Sequence, residues 1–222
     1  MKIPNNVWVV IPAHNEAKHI ADVLQKTKQY AQNILVVDDG STDNTAGIAK
    51  KTRVRVLQLQ KNQGKGAALR TGCDYAMKHG AKAIITMDAD GQHAPAKLPA
   101  FAKALQGNDI VFGQRLFAKQ MPWLYRVGNW GLDMLTWLLG GIHLRDTQCG
   151  YRAFTAHVYK KIRWAATKYS IESEVVVRTA KNKLKYTTVQ VPTIYHEKNK
   201  GTTPLDGIKI LWNLIKLRLQ WA

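Results

Sequence analysis

The chain has 222 residues, of which 45% are hydrophobic and 22% charged, a composition that excludes wholly disordered, collagen-like and coiled-coil proteins. Its net charge of +18 points to a polyanionic partner, and nucleic acid, anionic lipid and a phosphorylated substrate all fit this description. The excess charge lies in the second half, because residues 1–112 carry a net +6 and residues 113–222 a net +12.

Strands and helices are predicted to alternate along the first half. Residues 7–11 form a β-branched run typical of a buried strand, and residues 16–30 have helical spacing with Asn15 as the expected cap. The alternation continues with strands at 34–37, 54–59, 83–87 and 110–112, and with helices at 42–48, 67–77 and 95–105. It predicts an α/β protein with a mainly parallel, Rossmann-like sheet flanked by helices.

The second half is predicted to be richer in amphipathic helices. Residues 123–139, 171–184 and 205–221 have helical spacing, and residues 185–191 alternate like a strand. Five tryptophans (Trp123, Trp130, Trp137, Trp212 and Trp221) are mixed with Lys and Arg in the first and last of these helices, a composition that suits a bilayer headgroup region. The alternative is that these faces only cover the sheet.

Acidic residues follow three of the predicted strands, at the sheet edge where open α/β proteins bind ligands. Glu16 follows the first strand, Asp38 and Asp39 follow the second, and Asp88 and Asp90 follow the fourth. Turn and capping chemistry is the alternative for residues 38–43. Two carboxylates separated by one small residue suit a hard divalent cation that is shared with a substrate diphosphate, and Gln92 offers a further oxygen.

Five segments together resemble family 2 glycosyltransferases of the branch that uses dolichyl or other polyprenyl phosphates. They are residues 9–16 (VVIPAHNE), 36–43 (VVDDGSTD), 62–66 (NQGKG), 88–92 (DADGQ) and 146–152 (DTQCGYR). The resemblance implies a GT-A fold, a nucleotide-diphosphate sugar donor and Mg²⁺ or Mn²⁺. It also implies one catalytic domain over residues 1–222, with a nucleotide-sugar half at 1–112 and an acceptor and membrane-facing half at 113–222.

The resemblance assigns roles to individual residues. It places the metal on Asp88, Asp90 and Gln92, and it makes Asp90 catalytic together with Arg115 and Arg126. Lys65 is expected to approach the donor or to be a solvated surface lysine. The full set of donor-binding residues implied is Pro12, Ala13, Asn15, Glu16, Asp38, Asp39, Lys65, Asp88, Ala89 and Asp90.

A lipid phosphate acceptor is already ionised near neutral pH, so positive charges that hold it matter more than a general base. The residues expected to bind that phosphate are Arg115, Arg126, Arg152 and Lys198. For Arg152 the alternative is a salt bridge to Asp146, and Glu172 and Glu174 are expected to be structural.

Several alternatives stay open. Residues 195–204 depart from the segment usual in mannosyltransferases, so GDP-mannose, UDP-glucose or another UDP-sugar all qualify as donor. A polysaccharide hydroxyl acceptor would need a general base, with Asp90 and Glu174 as candidates. The hypothesis of a nucleic-acid-binding module depends on the net charge alone. No binding motif supports it, so no nucleic-acid partner is expected.

The expected location is the cytoplasmic face of a membrane, as a peripheral protein that docks on anionic lipid. Cys73 and Cys149 are isolated, which favours a reducing compartment, and no signal peptide or membrane-spanning run is apparent. The oligomeric state is left open.

Overall fold

The computed structural model describes residues 1–115, 131, 134, 137, 141–142, 144, 146–168 and 170–192. Seven strands of this part of the chain form one sheet in the order β3-β2-β1-β4-β6-β5-β7. The strands are β1 (Val7–Ala13), β2 (Asn33–Asp38), β3 (Arg55–Gln58), β4 (Ala83–Thr86), β5 (Ile110–Arg115), β6 (Arg152–Thr155) and β7 (Tyr186–Val191).

The sheet is mostly parallel, which confirms the predicted α/β class. Strands β1, β2, β3 and β4 run parallel to one another, and β5 runs parallel to β7. The exception is β6, which pairs antiparallel with both β4 and β5. Neither β6 nor the helix that follows it was expected from the sequence, so part of the second half is built into the centre of the sheet.

Helices cover both faces of the sheet. They are α1 (Ile20–Lys28), α2 (Thr45–Lys51), α3 (Lys65–Lys78), α4 (Leu98–Ala104), α5 (Ala156–Ile162) and α6 (Ile171–Lys181), and a 3₁₀ turn at Pro95–Lys97 precedes α4.

Successive residues of β1 point to opposite faces and all are buried, as expected for a central parallel strand. Val9 and Ile11 pack with α1, α2 and α4, whereas Trp8 and Val10 pack with α3, α5 and α6.

The predicted cap of the first helix is wrong. The helix begins at Ile20 after His19, and Asn15 instead adopts a left-handed conformation with φ of 55° in the preceding loop. Most of the predicted helix at 123–139 and all of the one at 205–221 lie outside the described residues. Residues 131, 134 and 137 are helical, and the side chains of Met134 and Trp137 are exposed. In the described part of the chain, no helix is both long and apolar enough to cross a bilayer.

Candidate active site

The predicted acidic residues lie at the carboxyl ends of β1, β2 and β4, which are neighbours in the sheet. β1 pairs with β2 on one side and with β4 on the other, so the chain changes direction across the sheet at this point. Such a switch point opens a crevice between the loops that leave the strands. Ala13 stands opposite Asp38 in the register, and the Asp39 N–H donates to the Ala13 carbonyl at 2.8 Å.

Polar side chains join the loop after β1 to the loop after β2. The Asn15 side-chain oxygen accepts from the Thr42 N–H at 2.8 Å, and the Asn15 N–H donates to the Ser41 hydroxyl at 2.9 Å. The Ala17 N–H donates to the Asp43 carboxylate at 3.0 Å, and that carboxylate also accepts from the N–H of Thr45, the first residue of α2. Asn15 and Asp43 therefore shape the crevice wall.

The first acidic pair is buried and tied to its own surroundings. Both oxygens of Asp39 accept backbone hydrogen bonds, from the N–H groups of Gln63 and Gly64 at 2.8 Å each. One oxygen of Asp38 accepts from the Ser41 hydroxyl. Within the described residues, the other Asp38 oxygen is buried and has no hydrogen-bond partner. An unpaired buried carboxylate oxygen is costly, so Asp38 fits a group that receives a ligand donor.

The second acidic pair is partly exposed, and an ammonium group holds its first member. Lys65 Nζ lies 2.8 and 3.0 Å from the two Asp88 carboxylate oxygens and 3.0 Å from Glu172 Oε1. Burial alone would lower the pKa of Lys65, but the charges of Asp88 and Glu172 raise it well above its ordinary value. The expectation of a solvated Lys65 is therefore wrong, because the side chain is only 20% exposed and joins two carboxylates.

Burial would raise the pKa of the Asp88 carboxyl, but the charge of Lys65 lowers it to about 2. The pKa of Asp90 shifts in the opposite direction, because burial and the charge of Asp88 both raise it. One Asp90 oxygen accepts from the Gln92 N–H at 2.9 Å, which fixes the turn. The two carboxylates thus interact unfavourably unless positive charge is supplied.

These residues fit a divalent cation. Asp88 and Glu172 both contact the Lys65 ammonium, and Asp90 is close enough to Asp88 for their charges to interact. In the part of the chain that the structure describes, no three His, Cys, Asp or Glu side chains are arranged as a complete ligand set. A cation held by Asp88 and Asp90 would therefore need other oxygens, such as those of Gln92, a donor diphosphate or water.

Sequence reasoning missed His93, which supports the loop after β4. The Asp88 N–H donates to His93 Nδ1 at 3.0 Å, so that nitrogen is unprotonated and the proton lies on Nε2, which is 4.0 Å from Cys149 Sγ. Burial lowers the pKa of His93, which keeps the ring neutral. The ring also stacks on Tyr151. The available signal was its place in the same loop as the acidic pair.

Gly150 borders the ion pair between Lys65 and Asp88. A Cβ atom at this position would lie 2.8 Å from Lys65 Nζ and 3.1 and 3.2 Å from the Asp88 oxygens. The Gly150 carbonyl accepts from the Thr86 hydroxyl at 2.8 Å, which holds it beside the end of β4. The segment before β6 therefore leaves space at the second acidic pair because it has no side chain there.

Two of the three arginines predicted for the acceptor phosphate, Arg115 and Arg152, are among the described residues, and their surroundings differ. Arg115 donates to both carboxylate oxygens of Asp146, at 2.7 and 2.8 Å, and its side chain is 25% exposed. The predicted salt bridge between Arg152 and Asp146 is therefore replaced by one from Arg115. Arg152 is buried and donates to the carbonyls of Cys149, Thr147 and Glu172, which favours a structural role over contact with a phosphate.

Glu172 and Glu174 begin the same helix but have different partners. Glu174 accepts from the N–H groups of Ala165 and Ala166 and from Arg178, so its expected structural role is confirmed. Its carboxylate is buried and fully engaged, which contradicts a general-base role. Glu172 reaches Lys65 instead, and sequence reasoning missed this contribution to the site.

Other predicted donor-binding residues lie along the same edge. Pro12 and Ala13 end β1 and are buried, and Ala89 is buried between the two acidic residues. The Glu16 carboxylate lies 3.0 Å from His19 Nδ1. Arg126 and Lys198 lie outside the described residues, so their predicted contacts stay predictions.

The comparisons with known proteins agree with this geometry. A family model described as glycosyl transferase family 2 matches residues 8–163. The chain is 35% identical to a UDP-N-acetylglucosamine–dolichyl-phosphate N-acetylglucosaminyltransferase of Methanococcus voltae, over 96% of each chain. It is 29% identical to a polyprenol monophosphomannose synthase of Mycolicibacterium smegmatis, over 96% of this chain and 86% of that one.

A solved structure has the same fold. It is the glucosyl-3-phosphoglycerate synthase of Mycobacterium tuberculosis, crystallised with Mg²⁺ and UDP. The TM-score is 0.74 at 20% sequence identity, and the match covers 97% of this chain and 78% of the other. The arrangement of strands and helices therefore extends beyond close sequence relatives.

Proposed function

This chain belongs to glycosyl transferase family 2, and from that premise we propose that it transfers a hexosyl group from a nucleotide-diphosphate sugar to a polyprenyl phosphate, with inversion at the anomeric carbon. The observation that carries the proposal is the Asp88-Ala89-Asp90 turn at the end of β4, which lies at the same sheet edge as the buried Asp38 at the end of β2.

Asp38 is proposed to bind the nucleotide. Its buried oxygen, unpaired within the described residues, would accept a hydrogen bond from the base or ribose of the donor. Asp39 supports this position, because its carboxylate holds the N–H groups of Gln63 and Gly64 and so fixes the start of α3. Pro12, Ala13 and the joined loops after β1 and β2 would form the rest of the nucleotide wall.

Asp88 and Asp90 are proposed to hold Mg²⁺ or Mn²⁺, with Gln92 close by. A divalent cation here would neutralise the negative charge that develops on the nucleoside diphosphate as it leaves. Burial and the charge of Asp88 raise the pKa of Asp90, which shows that the ionised carboxylates repel each other, and a cation would relieve that repulsion. The structural neighbour crystallised with Mg²⁺ and UDP supports this assignment by its shared fold.

The acceptor is proposed to be a lipid phosphate because Arg115 lies near the acidic turn, whereas one of the two general-base candidates for a hydroxyl acceptor is already engaged. Glu174 is engaged by Ala165, Ala166 and Arg178, so a hydroxyl acceptor would have to depend on Asp90. A phosphate oxygen is already ionised and needs orientation more than activation. Arg115, whose charge helps to lower the pKa of Asp88, is the described residue proposed to contribute to that orientation together with Arg126.

The proposed setting is the cytoplasmic face of a membrane, with the basic, Trp-rich second half as the lipid-docking surface. The net +12 of residues 113–222 and the exposed side chain of Trp137 support this setting. Liposomes that contain an anionic lipid should bind the protein in a salt-sensitive manner, and neutral liposomes should not. Equal binding to both would contradict the proposed surface.

A donor screen with matched acceptors tests the transfer itself. The purified chain is incubated with Mg²⁺, undecaprenyl or dolichyl phosphate, and either GDP-mannose, UDP-glucose or UDP-N-acetylglucosamine. Nucleotide release and an extractable glycolipid are the expected products. The matched control is polyprenol without its phosphate, which should not react. Failure with every donor, or equal transfer to polyprenol or a soluble sugar, would overturn the proposal.

A further inference from the structure

We infer that the Lys65 ammonium is a resident cation that exchanges with a divalent metal ion at Asp88 and is then received by Glu172. The inference rests on the proposed function, which places the metal on Asp88 and Asp90. It adds a role for Lys65 and Glu172 that neither an ordinary donor contact nor a structural ion pair would give.

Lys65 and the metal ion would need the same atoms. Nζ lies within 3.0 Å of both Asp88 oxygens, so the ammonium already occupies the positions that a cation bound to this carboxylate would require. Two cations on one carboxylate lie only about 4 Å apart, where their repulsion is strong in a partly buried site. A divalent cation can therefore bind Asp88 well only when the ammonium withdraws.

Glu172 is placed to receive the ammonium. Its Oε1 is already 3.0 Å from Nζ, and its side chain is 5% exposed. Its Oε2 is buried and lacks a hydrogen-bond partner among the residues described. Because an unpaired buried oxygen is costly, a full contact between Glu172 and Lys65 offsets the loss of the contact with Asp88. Glu172 also lies in the first turn of α6, where a negative charge is favourable.

The surroundings let the ammonium move while the backbone stays in place. Lys65 is the first residue of α3, and the preceding Gly64 is held by Asp39 on one side. A Cβ at Gly64, whose φ is 95°, would lie 2.4 Å from the Thr167 carbonyl, so the backbone here is closely packed. The flexible lysine stem and the absence of a side chain at Gly150 leave the Nζ end free to shift.

Metal affinity, measured without nucleotide, tests the exchange directly. Free Mn²⁺ is followed by electron paramagnetic resonance during titration of the full chain. K65M should bind Mn²⁺ at least about tenfold more tightly than the wild type, because the competing charge is gone. The matched control is K78M, which makes the same change at an exposed residue at the other end of α3 and should not alter the affinity. An unchanged or weaker affinity in K65M would overturn the inference.

The role of Glu172 is tested by a double-mutant cycle. E172Q removes the receiving charge, so it should weaken Mn²⁺ binding several-fold in the wild type and have little effect in K65M. If Glu172 acted only by long-range attraction of the metal or by supporting the fold, E172Q would have the same effect in both backgrounds. That result would remove Glu172 from the exchange.

Wild-type protein provides a second measurement that does not depend on the folding of K65M. In a ¹⁵N spectrum of the lysine ammonium groups, the Lys65 signal should shift when Mg²⁺ is added to saturation. An unchanged signal would overturn the exchange. If wild-type protein binds no metal and transfers sugar without it, the metal assignment itself fails, and the inference fails with it. If the wild type binds the metal ion and K65M binds it with the same affinity, only the exchange is contradicted and the metal assignment stands.

Discussion

Two acidic pairs of similar sequence lie at the same edge of the sheet, but they differ in their hydrogen-bond partners and in their burial. Backbone N–H groups hold Asp39, and the pair that contains it is almost fully buried. A lysine side chain holds Asp88, and that pair is partly exposed. Carboxylates held by the backbone fix the shape of loops, whereas a carboxylate held by a flexible ammonium can exchange its partner. We therefore propose that the first pair builds the site and that the second performs its chemistry.

The same contrast recurs on α6. Glu174 accepts two backbone hydrogen bonds and one from Arg178, while Glu172 contacts Lys65. The two residues lie in the first turn of one helix, so helix position does not explain the difference. What differs is the identity of the group each carboxylate meets.

The largest expected effect comes from Asp90→Asn. The substitution removes a charge from the proposed metal site, and the Asn oxygen can still accept from the Gln92 N–H, so the turn is kept. We expect transfer to fall at least about 10³-fold. Nucleotide release measures the loss, and an unchanged thermal unfolding midpoint checks the fold. Turnover near the wild-type rate would remove Asp90 from the metal site.

A loss of stability is expected for Asp39→Asn. One of the two N–H groups of Gln63 and Gly64 would face an amide NH₂, so the free energy of unfolding should fall by about 2–3 kcal/mol. Asp38→Asn is the matched control, because only one of its oxygens has a partner in the described structure, and it should cost less than about 1 kcal/mol. Urea denaturation measures both. Equal losses would contradict the separate roles of these neighbours.

Glu174→Gln is expected to cost about 1–2 kcal/mol, because one backbone N–H of Ala165 or Ala166 loses its acceptor. Glu172→Gln, the same change on the same helix, should cost less because, in the described part of the chain, its carboxylate contacts the Lys65 side chain and not the backbone. Urea denaturation of the two variants compares them. A larger loss for Glu172→Gln would mean that Lys65 stabilises the fold more than the backbone contacts of Glu174.

The smallest expected effect is on the pH dependence of stability. The pKa of Asp88 is lowered to about 2 in the folded chain from an ordinary value of 3.8. Its contribution to stability is therefore complete above the ordinary value and is lost as the pH falls towards 2. The difference in unfolding free energy between wild type and Asp88→Asn, about 1 kcal/mol at about pH 5.5, should shrink by about pH 3. A constant difference would contradict the ion pair.

Much of the fold and the position of the site follow from the sequence. The β-branched runs predicted the strands β1, β2 and β4, and the polar residues after them predicted the edge that carries the site. These features are local, because a buried strand needs an apolar run and its end needs residues that turn the chain. The predicted ends of the helices differ from the observed ones by a few residues, because a turn such as the one at 16–19 has the same spacing of apolar residues as the helix that follows.

Strand β6 could not be predicted in this way. Its four residues include Arg152, a charged residue that is rare inside a sheet and here donates to carbonyls of the chain. Only the packing of β6 between β4 and β5 explains why a charged residue is buried there.

The sequence by itself determined the α/β class, the edge that carries the candidate site, and the acidic turn at residues 88–90, because these depend on local patterns of burial and chain reversal. The tertiary structure alone decided which charges meet: Lys65 with Asp88 and Glu172, and Arg115 with Asp146. The physical reason is that the pairing of distant charges depends on which strands become neighbours. The spacing of residues along the sequence does not indicate that the segment before β6 and the start of α6 pack near the end of β4.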